Sequence, residues 1–108
     1  MNIKTLTTVL IAVILGCSVS ARVQAQDKEA LYLKSLAATC ANCHGTNGKV
    51  VDGSSVGGLA GLDKNYTVAQ MKAFKAGTRP ATVMHQISKG YSDAQIESLA
   101  GYFAAQKK

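Results

Sequence analysis

The sequence predicts an all-α protein with three main helices and one glycine-rich loop, and three observations support this fold class. Apolar residues recur at helical spacing in two stretches, Leu33 to Cys40 and Ile96 to Phe103. The chain contains no alternating β-branched run of useful length. Its 108 residues, with one proline, no tryptophan and a net charge of +6, allow one domain and leave no room for a second.

The N-terminal segment, residues 1–25, has the order of residues that is typical of a secretory signal peptide. Lys4 supplies the positive charge, and Leu6 to Val19 is apolar apart from a few small hydroxyl residues. Small or modest side chains occupy the −3 and −1 positions, Val23 and Ala25. We predict cleavage after Ala25, which leaves a single domain over residues 26–108. A retained membrane anchor is the alternative, but the apolar run is shorter than the roughly 20 residues that a spanning helix needs, so no membrane span is expected after signal removal.

A second processing signal overlaps the first. Residues Ile14 to Cys17 resemble a lipoprotein processing site, although leucine is an unusual residue before the glycine. Lipidation at Cys17 would leave an anchored rather than a free periplasmic protein. If Cys17 is removed with the signal, only Cys40 and Cys43 remain.

The first predicted helix leads into the cysteine pair. Asp27 is its predicted N-cap, and the apolar side chains follow the i, i+3, i+4, i+7 rule up to Cys40. Too many glycines for regular structure follow, and they predict a loop in which the backbone can approach a flat ligand closely. These glycines are residues 45, 48, 53, 57, 58 and 61.

Two further helices follow the loop. Asp63 is the predicted N-cap of the second, and Gly77 is placed as its C′ residue. Val83 to Ile87 predicts one short turn. Ser92 and Gln95 have the spacing of a capping box at the start of the last helix. The apolar stripe of that helix consists of Ile96, Leu99, Ala100 and Phe103.

The cysteine pair lies in the segment Cys40-Ala41-Asn42-Cys43-His44. This spacing also occurs in thioredoxin-like redox sites, in half of a zinc site and in simple disulfides. A zinc site needs two more ligands, and beyond His44 the chain after residue 25 offers only His85. A thioredoxin-like site needs a preceding strand, which the sequence does not predict.

The full C-x-x-C-H segment is the attachment signal of c-type haem. Two thiols three positions apart can each add to one vinyl group of the haem, and His44 is then carried under the iron as the proximal ligand. Attachment occurs after export, so the motif and the signal peptide support each other. A covalently bound haem would also supply apolar surface to a domain too small to build a large core.

Three residues could supply the distal iron ligand: Met71, Met84 and His85. Met71 lies in the middle of a predicted helix, where core packing explains it. Met84 lies between the proline break and the last helix and can cross to the distal face, so it is the predicted ligand. His85 could compete if the turn rotated, and a site left open is the third possibility. We also expect His44 to donate its free N–H to a backbone carbonyl within residues 56–58.

Four runs give the chain a family resemblance. It resembles class I c-type cytochromes, and within them it is most similar to the haem subunit of flavocytochrome c sulfide dehydrogenase. The resemblance implies a small class I cytochrome c fold with its first and last helices crossing, one haem c and an FAD-containing flavoprotein partner. It also implies Cys40 and Cys43 as haem thioethers, with His44 and Met84 as iron ligands. The runs are Cys40 to Gly48, Leu59 to Leu62, Met71 to Pro80 and Met84 to Asp93.

Three functions are compatible with these residues. The first is a periplasmic electron-transfer subunit that accepts electrons from a sulfide-oxidising flavoprotein and passes them to another redox protein. The alternative is a free-standing soluble shuttle to a terminal oxidase or reductase. A haem enzyme such as a peroxidase would need an open distal site, and Met84 argues against one; we predict no catalytic residue and no enzyme activity for the chain alone.

The charge of the chain does not identify its partner. Nucleic acid is not expected as a partner in the periplasm, despite the basic composition. A group of basic residues in the half of the chain that leads to Met84 could attract acidic proteins, or could be an ordinary solvated surface. These residues are Lys64, Lys72, Lys75, Arg79 and Lys89.

Overall fold

The computed structural model describes residues 2–3 and 24–108. The chain divides into two compact units, Met1–Tyr32 and Leu33–Lys108. Most of the predicted signal peptide, including Cys17 with its possible lipidation, lies outside the described residues. Within the described part, all regular structure is helical, which confirms the all-α class. No helix in that part is long and apolar enough to cross a membrane.

Residues 24–108 form three longer helices, as the sequence predicts, and two short ones, of which the sequence predicts the one at Met84–Ile87. Two 3₁₀ turns, Thr46–Gly48 and Ser88–Gly90, follow the two short helices. The helices are α1 (residues 24–38), α2 (Ala41–His44), α3 (Lys64–Ala76), α4 (Met84–Ile87) and α5 (Asp93–Ala104).

The start of α1 differs from the prediction. Asp27 lies inside the helix rather than at its N-cap, because residues 24–26 are already helical. Those residues are glutamine and alanine, which are good helix formers and extend the helix past the aspartate. At the other end, the helix ends at residue 38, and the Thr39 hydroxyl donates a hydrogen bond to the carbonyl of Leu36 at 2.7 Å.

The ends of α3 are as predicted. The backbone N–H of Tyr66 donates to the Asp63 carboxylate at 2.8 Å, which satisfies one free donor of the first turn. Gly77 follows the helix with φ 76°, and the N–H of Thr78 donates to the carbonyl of Ala73 at 3.0 Å. This pattern is the glycine-terminated C-cap that the sequence predicts.

The capping box at the start of α5 is also confirmed. The N–H of Gln95 donates to the Ser92 hydroxyl at 3.2 Å, and the N–H of Ser92 donates to the Gln95 side chain at 2.9 Å. The predicted apolar stripe is buried along the whole helix. Its members are Ile96, Leu99, Ala100 and Phe103.

The described core consists of two small clusters, and both include residues of the apolar stripe of α5. In the first, Ala37 of α1 packs with Leu99 and Phe103, which confirms the predicted contact between the first and last helices. In the second, Val68 of α3 packs with the remaining two residues of the stripe. The ring of Tyr91 packs against both clusters and links them.

Gly48 lies in the glycine-rich loop, close to Phe103 of α5. The carbonyl of Gly48 accepts hydrogen bonds from the N–H groups of Leu59 at 2.8 Å and Ala60 at 3.1 Å. Gly48 has φ 77°, and a Cβ there would lie 2.8 Å from the Ala60 nitrogen and 2.9 Å from the ring of Phe103. Only glycine fits this position, because both the backbone conformation and the space exclude a side chain.

Candidate haem site

Three predicted site residues lie together where α1 gives way to α2. Cys40 is the N-cap residue of α2, and the N–H of His44 donates to its carbonyl at 3.0 Å, so one helical turn separates the first cysteine from the histidine. Cys43 is exposed, Cys40 is partly buried, and both are free thiols. The segment therefore presents two thiols and an imidazole from adjacent turns.

The environment of Cys40 affects the pKa of its thiol. Burial raises the pKa of Cys40, and its hydrogen bond with Thr39 acts in the opposite direction but more weakly. The Thr39 hydroxyl also shares a 2.7 Å hydrogen bond with the hydroxyl of Tyr91. This contact ties the attachment segment to the residues that follow Met84 in the chain.

The loop orients the imidazole of His44. Its Nδ1 lies 2.6 Å from the carbonyl oxygen of Gly57, so Nδ1 carries the proton and donates to that carbonyl. This contact confirms that a carbonyl within residues 56–58 is the partner, and it identifies Gly57. A proton fixed on Nδ1 leaves Nε2 as the nitrogen with a free lone pair, which is the state required of an iron ligand.

The two methionines have different surroundings. Met71 of α3 packs against the second core cluster, and its sulfur lies 3.8 Å from the hydroxyl of Ser88. Met84 begins α4, which packs against α3. The core packing expected for Met71 is thus present in the structure.

The residues beside Met84 leave apolar surface and one polar atom without protein partners. Val83 is 52% exposed and Ile87 is 43% exposed, although both are large hydrophobic residues. The buried Nδ1 atom of His85 has no hydrogen-bond partner within the described part of the chain. Buried polar atoms normally have a hydrogen-bond partner, and neighbouring exposed apolar side chains can mark a binding surface. These surroundings suit a bound group that is apolar over most of its surface and polar at one edge, as haem is.

The described residues do not offer a zinc site. No group of three or more histidine, cysteine, aspartate or glutamate side chains within residues 2–3 and 24–108 could hold a metal ion. Two free thiols and one oriented imidazole on neighbouring residues fit the attachment of a haem instead.

Sequence patterns do not single out two groups near the predicted site residues, the Gly57 carbonyl and the Ser88 hydroxyl. The choice of Gly57 among three neighbouring carbonyls depends on the path of the loop. Ser88 is fully buried, and its hydroxyl donates to the carbonyl of Met84 at 2.6 Å. The only sequence signal for this contact is the four-residue spacing, since serine hydroxyls on helices often bond to the carbonyl four residues earlier.

Most of the basic group near Met84 interacts with this chain's own residues. The Nζ atoms of Lys64 and Lys72 lie 3.3 and 3.9 Å from carboxylate oxygens of Glu97. The Nζ atom of Lys75 lies 2.9 Å from a carboxylate oxygen of Asp93. These ion pairs reduce the positive field of the basic group. They favour the interpretation of the group as an ordinary solvated surface over its interpretation as a site that attracts acidic proteins.

A fourth basic side chain is also engaged within the chain. The guanidinium carbon of Arg79 lies 4.5 Å from the centre of the Phe74 ring, over its face. The same guanidinium donates a hydrogen bond to the side-chain oxygen of Gln70. The charged side chain of Arg79 therefore packs against the C-terminal half of α3.

Comparison with known proteins agrees with a haem site. The model of the Cytochrome c family matches residues 33–107. The cytochrome subunit of sulfide dehydrogenase from Chlorobaculum tepidum is 36% identical over 73 residues, which cover 68% of this chain and 64% of that protein. The thiosulfate dehydrogenase electron acceptor from Thiomonas intermedia is 37% identical over 71 residues, 66% of this chain and 33% of that protein.

A third relative is a cytochrome c4. Cytochrome c4 from Azotobacter vinelandii is 34% identical over 80 residues, which cover 66% of this chain and 38% of that protein. The chain thus spans less than two thirds of the length of each of these three relatives. The family match covers well over half of the chain, including the whole attachment segment, α3, α4 and α5. The chain belongs to the cytochrome c family, whose cofactor is a covalently attached haem c, and the spacing of Cys40 and Cys43 fits that attachment.

Proposed function

We propose that this electron-transfer protein is the cytochrome subunit that accepts electrons from a sulfide-oxidising flavoprotein. The observation that carries the proposal is the 36% identity over 73 residues to the cytochrome subunit of a sulfide dehydrogenase. The runs Lys75 to Pro80 and Lys89 to Asp93 favour the same subfamily. The chain belongs to a family of electron carriers, and this relative suggests which donor it serves.

In this proposal each site residue has one role. Cys40 and Cys43 form the two thioether bonds to the haem, His44 is the proximal iron ligand and Met84 is the distal one. The bound haem takes up and releases one electron at its iron. The Gly57 carbonyl holds the ring of His44 in one orientation through the 2.6 Å contact to Nδ1. A methionine opposite a histidine raises the reduction potential relative to two histidines, which favours acceptance of electrons.

The electron balance requires a partner with a two-electron centre. Oxidation of HS⁻ to zero-valent sulfur releases two electrons and one proton. One haem accepts a single electron, so this chain cannot complete that oxidation in one encounter. The FAD of such a flavoprotein would supply a centre that accepts an electron pair, and this chain would then remove the electrons one at a time and pass each to a further redox protein.

The proposal also assigns a location. Removal of residues 1–25 as a signal peptide would release residues 26–108 into the periplasm, where covalent haem attachment takes place. The attachment motif supports this location because it requires the export route.

A free-standing shuttle is the second candidate function. It is favoured by the match to cytochrome c4 and by the relative described as a thiosulfate dehydrogenase electron acceptor, since both are about as similar to this chain as the sulfide dehydrogenase subunit is. A shuttle would use the same haem site but would bind its partners transiently.

Purification from the native source, followed by reaction with sulfide, tests the proposal. We expect the haem protein to co-purify with a larger flavoprotein, and we expect sulfide to reduce the complex rapidly. The isolated haem protein should be reduced by sulfide only slowly. A monomer with no flavin in any fraction that contains it would favour the shuttle and overturn the proposal.

A further inference from the structure

Ser88 has an unusual position for a serine. Among the described residues it is the one polar residue that is buried, with 0% exposure. Its hydroxyl lies 2.6 Å from the carbonyl oxygen of Met84 and 3.8 Å from the sulfur of Met71. Because water does not reach a hydroxyl that is fully buried, its hydrogen bonding depends on these two contacts alone.

The hydroxyl proton serves the Met84 carbonyl. A serine hydroxyl has one proton, and both neighbours are acceptors, so only one of them can receive a full hydrogen bond. The carbonyl oxygen is the stronger acceptor and is much nearer than the sulfur. The backbone N–H of Ser88 also donates to the same carbonyl. Met84 is thus held by two donors from a single residue.

The helix that begins with Met84 needs such support. α4 has only four residues, and its N-cap residue Val83 makes no side-chain capping bond. A helix this short is not stable by itself, so its conformation depends on contacts with the rest of the protein. Ser88 provides them at the buried end of the turn, between α4 and the Met71 side chain of α3.

We propose that Ser88 is a positioning residue that holds Met84 in the orientation from which its sulfur binds the haem iron. The hydroxyl fixes the Met84 carbonyl and so restricts the backbone that carries the side chain. This inference rests on the proposed ligation of the iron by Met84.

The test is the binding of imidazole to the ferric holoprotein, because imidazole must displace the distal ligand. In Ser88→Ala the Met84 backbone loses one hydrogen bond, and we expect imidazole to bind about fivefold more tightly than to the wild type. Ser88→Cys keeps the shape of the side chain but has a weak donor, so it should change the affinity in the same direction.

Ser98→Ala is the matched control. The Ser98 hydroxyl makes the same kind of bond to the carbonyl of Ala94, at 3.0 Å, on the exposed side of α5. Its loss should leave imidazole binding unchanged. A purely structural role for Ser88 would lower the denaturant midpoint of Ser88→Ala without altering its imidazole affinity, and that result would overturn the proposal.

Met84→Ala distinguishes failure of the Met84 ligand assignment from failure of the positioning role of Ser88. If Met84 is the ligand, this variant binds imidazole without competition and loses the far-red methionine band of the ferric protein. Retention of that band in Met84→Ala would refute the ligand assignment itself. Loss of the band in Met84→Ala, together with wild-type imidazole affinity in Ser88→Ala, would refute only the role of Ser88.

Discussion

At the scale of single residues, Met71 and Met84 differ in what surrounds them. Both are partly buried. Met71 packs against Val68, Ile96 and Ala100, and replacing its side chain would disturb the core. Met84 is flanked by half-exposed apolar residues on a four-residue helix. Similar thioethers therefore have different roles, one in packing and one, as we propose, in ligation.

Replacement of the two methionines distinguishes these roles. Met84→Ala should abolish the weak far-red band of the ferric protein and lower its reduction potential, because the sulfur ligand is lost. Met71→Leu, which keeps the volume of the side chain, should preserve the band and cost less than about 1.5 kcal/mol of stability. Absorption spectra of the ferric proteins check both. Loss of the band in Met71→Leu alone would reverse the assignment.

Asp93 gives a prediction about pH. The hydrogen bond from Lys75, at 2.9 Å, and the charge of that lysine lower the pKa of Asp93 below its ordinary value of 3.8. A lowered pKa in the folded state adds stability that is complete above the ordinary value and disappears as the pH falls through the folded-state value. The denaturation midpoint of Asp93→Asn should therefore lie below that of the wild type at pH 6.

The size of this difference should decrease as the pH is lowered from 4 towards 2. Asp52→Asn, which alters an exposed carboxylate in the glycine-rich loop, is the control and should show no comparable trend. A difference between Asp93→Asn and the wild type that stays constant over this range would contradict the contribution of the Lys75 pair.

At the scale of elements, the glycine-rich loop depends on the conformations of individual glycines. Gly48 and Gly53 both have positive φ, of 77° and 81°. A Cβ at Gly48 would collide with the backbone of Ala60, whereas one at Gly53 would meet nothing within 4 Å. The two positions share the same backbone strain for a non-glycine residue and differ only in space.

Alanine at these two positions separates strain from collision. Gly53→Ala should destabilise the holoprotein by about 1 kcal/mol, because alanine is disfavoured at positive φ. Gly48→Ala should cost about 1–3 kcal/mol more, because the backbone must also move to make room. Denaturant unfolding of the holoproteins measures both, and equal losses would show that the close contact at Gly48 has no energetic consequence.

The sequence predicts most of the helices because their signals are local. Asp63 and Ser92 are caps that depend only on side chains within three residues, and both are confirmed. The prediction for Asp27 was wrong, because an aspartate is compatible with a helix interior when good helix formers precede it. Local patterns thus identify a helix more reliably than they fix where it begins.

The site is predictable in its chemistry but not in all of its contacts. The spacing of the attachment motif predicts Cys40, Cys43 and His44 as site residues. The carbonyl of Gly57 and the hydroxyl of Ser88 reach their partners only after the loop and α4 have folded, so sequence spacing does not single them out. Contacts that depend on the path of a loop require the structure.

At the scale of the whole molecule, the described core is small for a stable domain. Its buried hydrophobic side chains number seven within residues 2–3 and 24–108, and three of them are alanine. These residues bury little apolar surface, and a short chain has little to offset its loss of conformational entropy. The haem thus supplies apolar surface that the protein core lacks.

Removal of the attachment cysteines tests this dependence on haem. The double variant Cys40→Ala, Cys43→Ala, produced together with the haem-attachment machinery, should be largely unfolded by circular dichroism. The wild-type holoprotein, produced in the same way, is the reference and should show helical spectra with cooperative unfolding. An equally helical and cooperative apo variant would contradict the dependence.

We propose that this electron carrier fills both axial positions of its haem iron with its own side chains, His44 and Met84. Carbon monoxide binding to the ferrous holoprotein tests this claim most directly, because the ligand requires a free iron position. We predict that the wild type shows no spectral change with carbon monoxide at neutral pH and that Met84→Ala binds it readily. Rapid binding of carbon monoxide by the wild type would contradict the claim and indicate an open haem site.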